Sequence, residues 1–150
     1  MSLEFEAVKQ GLSSAVPMVR TLNLEFLEWD GETAVMRLPD QADYHNHLGG
    51  PHAGAMFTLA ESASGAVVIG GFGEKLAEVV PLAARAEIQY LKIAQGPVTA
   101  TATMSDSVEN ILAELDAGKR PEFDVNIKIT DADGLQTGAM KVLWTLKPLK

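Results

Sequence analysis

The chain contains no cysteine, which excludes disulfides, thiolate metal sites and cysteine nucleophiles. Positive charge is scarce. Only 12 Lys and Arg stand against 20 Asp and Glu, for a formal net charge of −8. Nucleic-acid binding, which rests on neutralising phosphates, is therefore not expected. A small anionic ligand stays open, because a few local cations outweigh distant charge under salt screening. Aromatic residues make up 6%, too few to spell out the lining of a ligand pocket. No basic stretch followed by an apolar run opens the chain, so no signal peptide is visible and a cytoplasmic location is expected. The longest apolar stretch, Ala53 to Phe72, is interrupted by Glu61 and rich in Ser and Gly. It is a poor membrane span, and no membrane association is expected.

What is present suffices for a core: 47% of the 150 residues are hydrophobic and 21% charged. The length fits one domain, residues 1–150. Residues 4–14 place Phe5, Val8 and Leu12 at helical spacing. Leu22, Leu24 and Phe26, then Thr33 to Leu38, flank Asp30-Gly31 and predict a β-hairpin. Gln41 to Pro51, with Gly49, Gly50 and Pro51, predicts a loop. Residues 52–72 have helical length, no proline, and a cluster of glycines at the end that suits a helix stop. The run is apolar on nearly every side, so the helix should be central and buried. Alternating patterns then predict strands at 84–90, 98–104 and 123–129. A final strand follows the Asp133-Gly134 turn and runs to about Lys147. Val108, Ile111, Leu112 and Leu115 suggest a short amphipathic helix within 107–118.

The order is helix, hairpin, long buried helix, then four strands with a small helix between the middle two. A helix apolar on all sides needs a sheet curved around it. The expected fold is α+β of the hotdog type, and the face or edge left open predicts oligomerisation.

One stretch carries chemistry: NHLGGPHAGAMFTLAE, residues 46–61. It resembles the hotdog acyl-CoA thioesterases of the phenylacetate-pathway (PaaI-like) branch. Their signature is an Asn, a Gly three residues on, a His-Gly-Gly, and an acid nine residues after that His. Asn46, Gly49, His52-Ala53-Gly54 and Glu61 stand in that register. The resemblance implies hydrolysis of acyl thioesters without a cofactor or metal. Asn46, Ala53 and Glu61 would be catalytic, with Gly49, His52 and Gly54 beside the substrate. Arg85 and Lys92 are candidates for the phosphates of coenzyme A. The chain departs from the family at Ala53, where Gly is usual. It departs again at Gly65, four residues after the acid, where some members have Thr or Ser.

The spacing makes chemical sense. Negative charge develops on the thioester oxygen in the transition state, and free N–H groups at a helix N-terminus stabilise it. The Asn46 amide can bind the attacking water or the thioester. Glu61 would be general base, or nucleophile through an anhydride. Ala53 and Glu61 lie roughly 12 Å apart along one helix. Both must reach within about 3 Å of the reacting group. The Glu61 that serves one Ala53 is therefore expected from a second chain, in a homodimer or a dimer of dimers.

Plainer readings stand beside these. Glu61 could be a structural acid, although no Lys or Arg lies between Arg37 and Lys75 to pair it. Asn46 could organise its loop. His52 could fix the loop before the helix. His45, His47 and His52 with Glu61 could hold a metal. His47, fourteen residues before Glu61, suits a hotdog hydroxyacyl-thioester dehydratase, but the His-Phe-Pro-Gly of those enzymes is absent. A non-catalytic acyl-thioester or fatty-acid binding module is the other alternative. Ser62 and Ser64 are expected to pack the helix, and residues 107–120 either lid the acyl pocket or lengthen a connection.

Overall fold

The computed structural model describes residues 3–150. Phe5–Ala15 forms helix α1, burying Val8 and Leu12 as their spacing requires. A short helix that the sequence pattern did not reveal follows, α2 (Pro17–Thr21), with Pro17 in its first turn where no N–H is needed. It displaces the start of the first strand. Leu22 N–H closes α2 on Met18 O, and the chain reverses through Asn23 at φ 52°. Strand β1 is therefore Glu25–Trp29 and does not begin at Leu22. The predicted hairpin is completed by β2 (Thr33–Leu38), with the Asp30 carboxylate accepting the N–H groups of Glu32 and Thr33.

The apolar run forms one uninterrupted helix, α3 (Ala53–Phe72). Strand β3 (Val79–Tyr90) starts five residues before the alternation becomes readable at Ala84. Pro81 and the non-alternating Val79-Val80 conceal its beginning, and an edge strand tolerates such a proline. The chain continues through β4 (Val98–Met104), α4 (Val108–Asp116), β5 (Glu122–Thr130) and β6 (Gln136–Pro148). Ser107 caps α4, its Oγ accepting the Asn110 N–H at 3.1 Å.

The six strands pair antiparallel in the order β1-β2-β4-β5-β6-β3. Helix α3 carries the chain from the β2 side of the sheet to the far edge. The sheet's inner face meets α3 through Met36, Leu38, Val98, Ala100, Val125, Ile129, Val142 and Leu146, all buried with Leu59, Ala63, Val67 and Phe72 of the helix. This is the hotdog fold. By length and apolarity α3 could cross a membrane, but 72% of its apolar window is buried inside the domain, as befits a core helix.

Two polar ties set the depth of α3. Ser64, fully buried, donates to Glu61 O at 2.6 Å and accepts the Trp144 indole N–H at 3.1 Å. At the C-terminal end, Leu3 N–H donates to Gly70 O at 2.9 Å while Trp29 Nε1 donates to Leu3 O at 2.7 Å. The Trp29 ring lies against Gly70, where a Cβ would stand 2.4 Å from Cζ2.

The two edges of the sheet differ. β1 is five residues long, whereas β3 is twelve. β3 pairs with β6 on one side only, and Leu82 to Glu87 are all exposed. A long edge strand bare on both faces is a template for further strand pairing.

Candidate active site

The Asn46–Glu61 stretch folds into a turn followed by the start of α3. Asn46 builds the turn. Its Oδ1 accepts the N–H groups of Leu48 at 2.9 Å and Gly50 at 3.1 Å, and its Nδ2 donates to Pro51 O at 3.2 Å. Its backbone N–H also donates to Gly50 O. Asn46 is thus the organiser of the loop, and one amide N–H is left for a ligand. Gly49 occupies the left-handed region at φ 75°, the conformation this turn requires. Gly50 runs against the loop after β3, where a Cβ would lie 2.6 Å from Ala94 O.

His52 is the N-cap of α3. Its Nδ1 accepts the Gly54 N–H at 2.9 Å, and its own N–H donates to Tyr44 O at 2.7 Å. The ring covers Gly54, where a Cβ would meet it at 3.1 Å. The role of His52 is therefore to hold the helix start, and Gly54 makes room for its ring. The cap takes the Gly54 N–H and leaves that of Ala53 with no acceptor among the described residues. Ala53 is the first helical residue and exposed. Its N–H keeps the partial positive charge of a helix N-terminus.

Sequence reading missed Tyr90. Its hydroxyl donates to Ala53 O at 2.9 Å, tying the end of β3 to the first turn of α3. Burial pushes the phenol pKa up, which keeps it in the donating form. The only advance signal was an aromatic with a polar tip at the end of an alternating run. Tyr90 is 49% exposed, and Leu48 (54%), Leu91 (53%) and Ile93 (66%) stand nearby on the two loops that meet at Gly50 and Ala94. An apolar rim therefore surrounds the Ala53 end of the helix.

Glu61 lies two turns further along α3, partly exposed, with no cation or hydrogen-bond donor facing its carboxylate among the described residues. Burial alone pushes its pKa above the ordinary value. Among the described residues this carboxylate is not half of an ion pair. Because α3 is continuous, its distance from Ala53 remains roughly 12 Å along the axis.

The other candidates separate. Ala86 and Ile88 stand opposite Val142 and Met140, whose side chains face the core, so Arg85 and Glu87 occupy the outer face of the sheet. Within one protomer Arg85 is not part of this site. Alternation alone identified two faces of β3 without saying which one met the helix. Lys92 is exposed in the loop beyond Tyr90. His45 pairs with Asp40 at 2.6 Å, and His47 is exposed in the turn. No group of three metal-ligating side chains converges among the described residues. Ser64 is a buried tie, as described above, and not a nucleophile. Helix α4 packs at the opposite end of α3, where Val108 meets Gly71, roughly 27 Å from Ala53. A cleft of about 510 Å³ opens there, lined by Trp29, Val67, Met104, Val108 and Leu112. It includes no residue of the Asn46–Glu61 stretch, so within one protomer α4 does not cover that stretch.

Several solved structures share the fold over nearly the whole chain. A Pseudomonas aeruginosa protein of unknown function, named a probable thioesterase, superposes with a TM-score of 0.85 at 23% identity, covering 99% of this chain and 98% of its own. A mutant thioesterase from the same organism gives 0.80 at 18% identity, with 99% and 97% covered. A thioesterase family protein from Silicibacter pomeroyi gives 0.76 at 15% identity, with 97% and 99% covered. No curated protein sequence matches the chain. One family model matches residues 5–146, and the chain accordingly belongs to the family described as Domain of unknown function (DUF4442).

Proposed function

We propose that this protein hydrolyses acyl thioesters, with coenzyme A esters as the first substrates to test, as a cytoplasmic homodimer with two shared sites. The observation that carries the reading is the pairing on α3 of an acceptorless N–H at Ala53 with an unpaired, partly buried carboxylate at Glu61. The names of the similar structures point the same way.

The thioester carbonyl oxygen accepts the Ala53 N–H, and the helix dipole stabilises the charge that develops there. Glu61 of the partner subunit takes a proton from water as the water attacks the carbonyl carbon. Collapse of the tetrahedral intermediate breaks the C–S bond. The thiolate leaves and takes up the proton, and the carboxylic acid departs. In the covalent variant the Glu61 carboxylate attacks first, forming an anhydride that water then cleaves. Asn46 supports either route by holding the turn before α3 and offering its remaining N–H to water or substrate. Tyr90 bonds the carbonyl of Ala53, on the peptide that follows the donor, and so fixes the first turn of α3 beside it. Lys92, exposed two residues beyond Tyr90, is the cation offered to a phosphate of coenzyme A.

The bare edge of β3 supplies the contact between protomers. Antiparallel pairing of two such edges makes a continuous sheet and brings the Tyr90 end of one strand toward the other subunit's helix. The apolar rim of Leu48, Leu91 and Ile93 then becomes interface or acyl entrance. A panel of acetyl-, hexanoyl-, dodecanoyl- and phenylacetyl-CoA, with thiol release as readout, tests the reading. Glu61→Gln is expected to lower kcat by about 10²–10⁴-fold while ligand binding persists. An unchanged rate in that variant, or no turnover of any of the four by the wild type, sinks it.

A further inference from the structure

The free edge of β3 is not uniform along its length. Pro81 stands opposite Leu146 in the β3–β6 ladder, and proline has no N–H to give. Its place is therefore one that faces away from β6, and the free edge lacks a donor there. Further along, the register shifts between Ala83 and Arg85, so that Ala84 is an extra residue, a β-bulge that bends the strand. Prolines and bulges both discourage an edge strand from pairing. Here both fall in the first half of β3.

The second half carries neither. From Arg85 to Tyr90 the ladder with β6 is regular. Leu91 N–H donates to Thr137 O at 2.8 Å, so by the alternation of an antiparallel pair Gln89, Glu87 and Arg85 also bond β6. Ala86, Ile88 and Tyr90 then turn their N–H and C=O groups outward, with Ile88 in the middle.

We infer that a second copy of this chain pairs with residues 85–90 and not with the first half of β3, with Ile88 opposite Ile88 of the partner subunit on the two-fold axis. The inference takes its occupant from the shared-site reading and adds the register. One argument is local. A two-fold axis normal to the sheet sets one residue opposite its own copy. With Ile88 there, Ala86 meets the partner's Tyr90, and Glu87 meets the partner's Gln89 with no like charges opposed. An axis at Glu87 would oppose two carboxylates across neighbouring strands, which is unfavourable. An axis at Ala86 would set Ile88 against the bulge at the partner's Ala84, where the ladder is broken. The other argument comes from the site. Tyr90 holds the carbonyl of Ala53, while Ser64 ties the turn that bears Glu61 to Trp144, which stands opposite Ala83. Ala53 thus lies level with the end of β3, and Glu61 nearer its bulge. An axis midway between them, near Ile88, is the one that brings Ala53 level with Glu61 of the partner subunit.

The chain has no cysteine, so introduced cysteines read the register directly. Positions 87 and 89 are exposed on the outer face of the sheet. Residues directly opposite have Cβ atoms about 4.5–5.5 Å apart, near disulfide reach, whereas diagonal neighbours stand about 7–8 Å apart. Glu87→Cys and Gln89→Cys chains, mixed, exchanged and mildly oxidised, should link about half of the chains into covalent dimers. Neither variant should do so alone. Ile88→Pro removes an outward donor, which an edge strand tolerates, and should give a monomer with unchanged circular dichroism. A link from Glu87→Cys alone, or from Glu87→Cys mixed with Arg85→Cys, places the axis elsewhere and overturns the inference. So does the absence of any link once exchange is verified by mass, a wild type that sizes as a monomer, or an Ile88→Pro chain that stays dimeric. If the links read this register while the wild type hydrolyses no thioester, the interface stands and the catalytic reading falls. If thioesters are hydrolysed while the links fail, hydrolysis stands and this interface falls.

Discussion

At the residue scale the site rests on two groups that the surrounding chain leaves unsatisfied. The cap supplied by His52 consumes the Gly54 N–H and spares that of Ala53. That selectivity permits a clean deletion. Ala53 is the first helical residue, where proline is favoured, and His52 at φ −64° and ψ 140° has the backbone a following proline demands. Ala53→Pro is therefore expected to fold with an unchanged melting temperature and to lose about 10²–10³-fold in kcat, as measured on acyl-CoA. Glu61 carries the opposite kind of test. Burial raises its folded pKa above the unfolded value of about 4.5. The stability linked to its proton is present below that unfolded value and lost as pH rises through the folded pKa. Glu61→Gln should melt above wild type at neutral pH, with the gap closing below about pH 4.5. Wild-type kcat should rise with pH through the raised pKa, because the base works only when deprotonated. A wild type as stable as the Gln variant across this range would mean that the carboxylate is paired.

At the element scale α3 is both the core and the frame of the site, so its seating governs both. The strap of Leu3 and Trp29 over Gly70 locks its C-terminal end. Gly70→Ala should drive a methyl into the indole and destabilise by about 2 kcal/mol, read as a fall of several degrees in Tm. Ser64 links the backbone at Glu61 to β6 through Trp144, so the height of the carboxylate over the sheet is set by a buried hydrogen bond. The periodicity at 53–72 revealed the helix and its burial, and the alternations at 98–104 and 123–129 revealed their strands. α2 and the first half of β3 stayed hidden. α2 is too short to show a period, and Val79 to Ala83 pass from a buried Val79 to exposed Leu82 and Ala83 without alternating. The same limit put Arg85 among the substrate ligands, since alternation is symmetric between the faces of a strand.

At the scale of the whole molecule the proposed site is divided between two protomers. Ala53 and Glu61 sit on one rigid helix too far apart to meet on one carbonyl, and β3 leaves twelve residues of edge without a second neighbour. Mixing Ala53→Pro and Glu61→Gln chains tests the arrangement. After subunit exchange each heterodimer should contain one intact site, returning about a quarter of wild-type activity from two inactive parents. No recovery, with exchange verified by mass, would place both groups of each site in a single chain.

The sequence alone determined the periodic properties: a helix apolar on every side, strands that alternate around it, and a spacing of Asn46, Ala53 and Glu61 that no later folding can alter. Tertiary structure decided which groups remain free. Asn46 spends most of its amide on its own turn and His52 spares Ala53 through the way the loop folds, and Tyr90 reaches the Ala53 carbonyl from a strand remote in the chain. Local pattern records which face of an element prefers to be buried. It does not record what another element brings against that face.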